Sequence, residues 1–105
     1  MLNFQKNEKK FLPVVFENGE QLFLKTPKKK LFSELIALKT NMETTEEIDS
    51  VYDDLLQVTA KVLSTNISGK KVTPDEVDEM FGIEDMALIL LEYQNFITSV
   101  TSRPN

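Results

Sequence analysis

The fold is decided by the stretch TPDEVDEMFGIEDMALILLEYQNFITSV (residues 73–100), which holds a short capped helix followed by a longer, apolar one. Thr73 and Glu76 have the spacing of a capping box, in which each side chain binds the other residue's backbone N–H. Gly82 follows the short helix, where a left-handed residue often ends a helix. The sequence therefore predicts helices over about residues 74–81 and 84–101.

Two further helices are predicted upstream from apolar residues that recur every three or four positions. The first covers about residues 27–42, with Thr26 as its cap and Pro27 at the first helical position. The second covers about residues 45–64, opened by a second capping box at residues 44–47.

A β-hairpin is predicted ahead of the helices, with strands over about residues 14–17 and 20–25. Asn18-Gly19 separates the two runs, and this dipeptide favours a type I′ turn, in which both central residues have positive φ. Pro13 lacks a backbone N–H, so the first strand should lie on an edge or begin after it. The chain is thus predicted to be α+β and mainly α.

The domain organisation follows from these elements. We expect a single hairpin-plus-helices domain over residues 11–101. Residues 1–10 combine two apolar side chains with a polar, lysine-rich run and are expected to form a flexible N-terminal arm. Residues 102–105 are expected to be a frayed tail.

The composition argues against chemistry as the function. The 105 residues include no His and no Cys, so the usual general bases, thiol nucleophiles and zinc sites have no side chains to build them. The longest apolar run, Met86 to Leu91, is far shorter than the roughly 20 residues that span a bilayer. We expect no enzyme activity, no cofactor, no metal site and no membrane partner, and a cytoplasmic location.

Charge is distributed unevenly along the chain. The overall net charge is −5, but residues 1–30 hold seven Lys and three Glu, a net charge of +4. Residues 31–105 hold five basic and fourteen acidic residues, a net charge of −9. The basic end of one copy could attract the acidic body of another, although solubility is the simpler explanation. The lysine run at residues 28–30 also suggests DNA binding as a third possible function, which the acidic body of the chain disfavours.

The surplus of apolar side chains on the last helix is the main sign of a binding surface. A helix that is apolar nearly all round is central to a core, or divides its faces between a core and an interface. If part of it is exposed, we expect a partner to bind Leu88, Leu91, Tyr93 and Phe96. The hairpin residues Phe11 and Phe16 are second choices. The alternative is that the helix only completes the core.

The order of the elements and several local phrases resemble a known family. The phrases are FLKTP (23–27), LFSEL (31–35), EEIDSVYD (46–53), VTPDEV (72–77) and FGIEDMA (81–87). Together with the N-terminal hairpin and the apolar last helix, they look like the tail assembly chaperones of long-tailed, siphovirus-type bacteriophages and prophages of Gram-positive bacteria.

That resemblance, over about residues 11–101, implies a non-catalytic protein of virion morphogenesis that works in the host bacterial cytoplasm. It implies binding to the tape measure protein, help in bringing tail tube protein to it, and a homo-oligomer without nucleic acid. A rival interpretation from the charge pattern is a small acidic phage or prophage regulator. It would inhibit a host nucleic-acid enzyme through a carboxylate-rich helical face.

Overall fold

A computed structural model describes residues 11–44 and 48–101, and within them a two-stranded antiparallel hairpin precedes four helices. The elements are β1 (Leu12–Val15), β2 (Gln21–Leu24), α1 (Lys29–Thr44), α2 (Ile48–Leu63), α3 (Pro74–Met80) and α4 (Ile83–Thr101). The predicted class, α+β and mainly α, is confirmed. The predicted N-terminal arm, the capping box at residues 44–47 and the predicted tail lie partly or wholly outside the described residues.

The hairpin turn differs from the predicted type I′ turn. Gly19 has a φ of 89°, but no non-glycine residue among those described has positive φ, so Asn18 does not. The Gly19 N–H donates to the Phe16 carbonyl, and the Phe16 N–H donates to the Glu20 carbonyl, at 2.9 and 2.8 Å. This is the three-residue connection in which an ordinary turn is followed by a left-handed glycine. The Asn18 side chain accepts the Glu20 N–H, which stabilises the turn without a left-handed Asn18.

The strands pair in the register Leu12–Leu24, Pro13–Phe23, Val14–Leu22 and Val15–Gln21. Hydrogen-bonded and non-hydrogen-bonded pairs alternate in an antiparallel ladder. Because Phe16 bonds to Glu20, Pro13 falls at a non-hydrogen-bonded position, where its missing N–H costs the ladder nothing.

The outer edge of β2 pairs with the segment that follows α2. The Ile67 N–H donates to the Phe23 carbonyl at 2.9 Å, and the Lys25 N–H donates to the Thr65 carbonyl at 3.2 Å. Asn66, which is buried, bridges to Leu24 between these two bonds. The loop after α2 therefore extends the sheet by one short, irregular step.

Helix α1 begins later than predicted, at Lys29 rather than near Pro27. The Phe32 N–H donates to the Lys28 carbonyl, so Lys28 and not Thr26 occupies the capping position. The reason is tertiary: Lys25 is held by its bond to Thr65 and by the Tyr93 hydroxyl, which keeps the chain extended past β2.

Helix α2 is the centre of the fold, since it packs against α1, α3, α4 and β2. The core contains side chains from β2, all four helices and the loops around them. Its fully enclosed members include Leu24, Leu55, Val62, Leu63, Val77, Met86 and Tyr93.

The connection between α3 and α4 confirms one predicted cap and corrects another. Thr73 accepts from the Glu76 N–H at 3.2 Å and Glu76 accepts from the Thr73 N–H at 3.1 Å, which is the predicted capping box. Gly82 does not have the left-handed conformation expected of it. It instead opens α4: its carbonyl accepts the Met86 N–H, and its N–H donates to the Asp85 carboxylate at 3.2 Å.

Candidate binding surface

Helix α4 has one buried face and one exposed face, and the sequence pattern alone did not separate them. Met86, Leu90 and Tyr93 are buried at a spacing of four and three residues, and Phe96 continues the same side. This face packs against α2, which it contacts along the core. Of the remaining apolar side chains in the helix's first half, Ile89 is half-buried and packs against the core, and the others are exposed.

Three of the six residues predicted to bind a partner lie in the core instead. Tyr93 is fully buried, and its hydroxyl donates to the Lys25 carbonyl at 2.7 Å, while burial raises its pKa to about 12. Phe96 is 9% exposed and packs beside Tyr93. Phe16 is buried edge-on against Phe81, with ring centroids 5.5 Å apart. Of the three, Phe16 also lines the groove between the hairpin and the junction of α3 with α4.

The other three predicted residues are exposed. Leu88 and Leu91 are 57% and 54% exposed on α4, and Phe11 is 37% exposed before β1. Leu88 and Leu91 are neighbours one helical turn apart. Phe11 lies on a different element, so the six residues do not form one site.

Ile83 and Ala87 extend the exposed pair into a stripe. Ile83, Ala87 and Leu91 repeat every four residues, which places them on one line along the helix, with Leu88 beside them. All four are exposed, Ile83 by 46%. We call this set the α4 stripe. Sequence reasoning missed Ile83 because the helix was predicted to begin at residue 84, although the four-residue spacing was visible in the sequence.

A groove of about 770 Å³ lies between the hairpin and the junction of α3 with α4. One wall is β1 along its whole length, including Val15, which is 62% exposed. The other wall contains Met80, Phe81, Leu88 and Ile89. We call it the β1 groove. It was not predicted, because it is formed by residues far apart in the sequence.

The rim of the β1 groove is acidic. Four carboxylates line it, from Glu17 after β1, Glu79 on α3, and Asp85 and Glu92 on α4, and the described lining residues include no Lys or Arg. Within the described residues these four form no salt bridge, whereas Glu34 and Glu20 are paired with Lys61 and Lys70. The groove thus combines an apolar floor with unneutralised negative charge.

The basic residues lie elsewhere, near the start of α1. A shallower depression of about 380 Å³ is lined by Lys25, Lys28, Lys30 and Lys61, with Glu34 bonded to Lys61 at 2.7 Å. The exposed apolar residues Phe32 and Ile36 follow on α1. Basic residues are thus grouped near the start of α1, and acidic residues are grouped around the β1 groove.

Comparison of the chain with protein-family models, with curated proteins and with solved structures returned no match. Across residues 11–44 and 48–101, no helix has the length and apolar character needed to cross a membrane. The same residues contain no group of three or more acidic side chains placed to hold a metal ion. The candidate site is therefore argued from the geometry of the α4 stripe and the β1 groove.

Proposed function

We propose that this chain is a non-catalytic tail assembly chaperone of a siphovirus-type phage or prophage, and that it binds the tape measure protein through the α4 stripe. The observation that supports the proposal is the division of α4. Its buried face anchors the helix to α2, while four apolar side chains on the other face have no partner among the described residues. The choice of this family rests on the resemblance of the sequence phrases to those of tail assembly chaperones.

A helix face of this kind suits a helical client. Ile83, Ala87, Leu88 and Leu91 present anchors at the spacing of helix turns, the arrangement by which amphipathic helices recognise each other. The carboxylates Glu84 and Glu92 stand beside the anchors in the sequence, so the apolar residues are bordered by charge. One such stripe gives a weak contact, so tight binding to a long client requires many copies along it.

The proposal is tested by co-expression of this chain with the tape measure protein encoded by the same phage, followed by size-exclusion chromatography with light scattering. We expect the tape measure protein to become soluble and to elute with many copies of the chain. A tape measure protein that stays insoluble beside a freely soluble chain would overturn the proposal.

The variant Leu91→Asp locates the contact. Leu91 lies on the α4 stripe but outside the β1 groove, so a charge there should reduce the co-eluting client at least about ten-fold while the circular dichroism spectrum stays unchanged. Ile36→Asp on α1 is the matched control, since Ile36 is 53% exposed and lies off the stripe. If both variants reduce the amount of co-eluting client equally, the client does not bind specifically at the α4 stripe.

The acidic-regulator alternative has one observation in its favour. Tyr52 on α2 donates to the Asp78 carboxylate on α3 at 2.9 Å, which holds this acidic residue of α3 against a helix that itself carries Asp49, Asp53 and Asp54. This alternative predicts a partner whose binding falls steeply with salt and with charge reversal at Asp53 or Asp78. The chaperone proposal predicts that Leu91→Asp matters more than either charge reversal.

A further inference from the structure

The outer edge of β1 is the strand edge of the hairpin that no described residue covers. The ladder leaves the Val15 N–H and the carbonyls of Pro13 and Val15 pointing away from β2. No backbone or side-chain group of the described residues bonds to them. An unpaired edge of this kind is a template for another extended strand.

The uncovered edge opens into the β1 groove. A strand added beside β1 would gain backbone hydrogen bonds from Pro13 and Val15, and its alternate side chains would meet Met80, Phe81 and Leu88. The four rim carboxylates select for a segment that also carries positive charge. The groove is therefore suited to an extended segment with apolar residues at one end and lysines at the other.

The chain itself contains such a segment in residues 1–10, MLNFQKNEKK. Leu2, Phe4 and Lys6 alternate with polar residues, so that in a strand they share one face. With Lys6, Lys9 and Lys10 against the single Glu8, the segment has a net side-chain charge of +2. Its length in extended form is about 33–36 Å, enough to leave one molecule and lie along a strand of another.

The segment is poorly suited to folding back onto β1 of its own chain. It joins the fold at Phe11, immediately before β1, so pairing with that strand would require a tight reversal within about residues 7–11. Two-residue hairpin loops need left-handed residues and favour Gly. The stretch Glu8-Lys9-Lys10 next to β1 has no Gly, and Asn7 is the one residue of this range that favours a left-handed conformation, whereas binding to a second copy needs no reversal.

We infer that the β1 groove binds the N-terminal segment, residues 2–10, of a second copy of this chain, which adds to the outer edge of β1. The apolar residues Leu2 and Phe4 enter the groove, and the lysines meet the rim carboxylates. Because each copy has one segment and one groove, the contact is head-to-tail and extends into rings or open chains. The inference does not depend on the identity of any client.

The absence of cysteine permits a direct test in the full-length chain. A Phe4→Cys chain with one affinity tag is mixed with a Val15→Cys chain carrying another tag, and disulfides are allowed to form. We expect a mixed dimer at roughly ten times the yield obtained when Ile36→Cys replaces Val15→Cys. A bound segment has a local concentration far above that in bulk solution. Adding Glu79→Lys and Glu92→Lys to the Val15→Cys chain should reduce the yield several-fold.

A second arrangement distinguishes the occupants of the groove. When Phe4→Cys and Val15→Cys are placed in one chain, at the same concentration as in the mixing experiment, an internal disulfide without disulfide-linked oligomers would show that each chain binds its own segment, which overturns the inference. Absence of any disulfide above the Ile36→Cys control would leave the groove to a different protein and would also overturn it. Both results are obtained without a client, so they leave the co-expression experiment unaffected.

Discussion

The two outer edges of the hairpin differ in their hydrogen bonding to the rest of the described residues, although the two strands are equally short. The edge of β2 pairs with residues 65–67 through the bonds at Phe23 and Lys25, and its inward side chains Leu22 and Leu24 are nearly inaccessible. The edge of β1 has no such partner among the described residues, and Val15 beside it is largely exposed. One edge is part of the fold, and the other is the edge for which we propose a partner.

This difference indicates which residues of the hairpin stabilise the fold and which are candidates for binding a partner. The β2 edge connects the hairpin to α2 and α4 through a short polar network of Asn66 and Tyr93. Substitution of residues in that network should lower the free energy of unfolding substantially. Residues on the β1 edge should be replaceable without loss of the fold, and changes there should affect association instead.

The largest expected effect comes from Asn66→Ala. The Asn66 amide donates to the Leu63 and Lys70 carbonyls at 2.8 and 2.7 Å, and its oxygen accepts the Lys70 N–H at 2.9 Å. Alanine would leave these backbone groups without partners in a largely buried site, so we expect the free energy of unfolding to fall by roughly 2–4 kcal/mol. Urea denaturation followed by circular dichroism measures it.

Asn18→Ala is the matched control for that experiment. Asn18 is exposed in the turn between the strands and makes one described hydrogen bond, to the Glu20 N–H. Its removal should cost about 1 kcal/mol or less. If Asn66→Ala and Asn18→Ala lower the free energy of unfolding equally, the paired edge of β2 has no special role in the stability of the fold.

The next effect is a loss of stability at alkaline pH through Tyr93. Burial raises the pKa of Tyr93 from 10.0 to about 12, so above pH 10 the unfolded chain releases this proton while the folded chain keeps it. The stabilising contribution is complete below pH 10 and is lost as the pH rises through 12, by about 2–3 kcal/mol in total. Denaturation curves measured between pH 9 and 12 should show this fall.

Tyr93→Phe should flatten that dependence, at the expense of the hydrogen bond to Lys25. Tyr52→Phe is the control. The pKa of Tyr52 is also raised, through its hydrogen bond to Asp78, but Tyr52 lies at the surface between α2 and α3. A pH dependence that survives in Tyr93→Phe would assign it to other groups.

The smallest effect on stability is expected from Val15→Lys, on the open edge. The side chain is largely exposed and the backbone has no hydrogen-bond partner among the described residues, so the free energy of unfolding should change by less than about 0.5 kcal/mol. Leu22→Lys on the sealed strand would bury a charge and should prevent folding. A large destabilisation by Val15→Lys would show that the β1 edge contributes to the fold after all.

Much of the fold could be predicted because local signals and tertiary packing agree. The capping box at Thr73 and Glu76 and the periodic apolar residues placed α3 and α4 to within one residue at each end. The start of α1 was placed too early because the Thr26-Pro27 signal is overridden by the distant contacts of Lys25. The turn type was wrong because Gly19 alone supplies the positive φ that the chain needs.

The candidate surface was less accessible to sequence reasoning. On a helix that is apolar nearly all round, Leu88 and Phe96 look equivalent, and only the position of α2 distinguishes them. Thr59 shows the same limit: it is fully buried on α2, and its hydroxyl has no hydrogen-bond partner in the structure, which no sequence signal indicated. The β1 groove could not be predicted, since its walls come from opposite ends of the chain.

Pro13 has a consequence for how far an assembly could grow as a sheet. An exposed strand edge is ordinarily a hazard, because identical edges stack into continuous fibrils. With a proline in its four-residue strand, β1 offers carbonyls at two outward positions but a donor at only one. Such an edge can bind one short partner strand and disfavours the continuous stacking of identical edges that builds amyloid-like sheets.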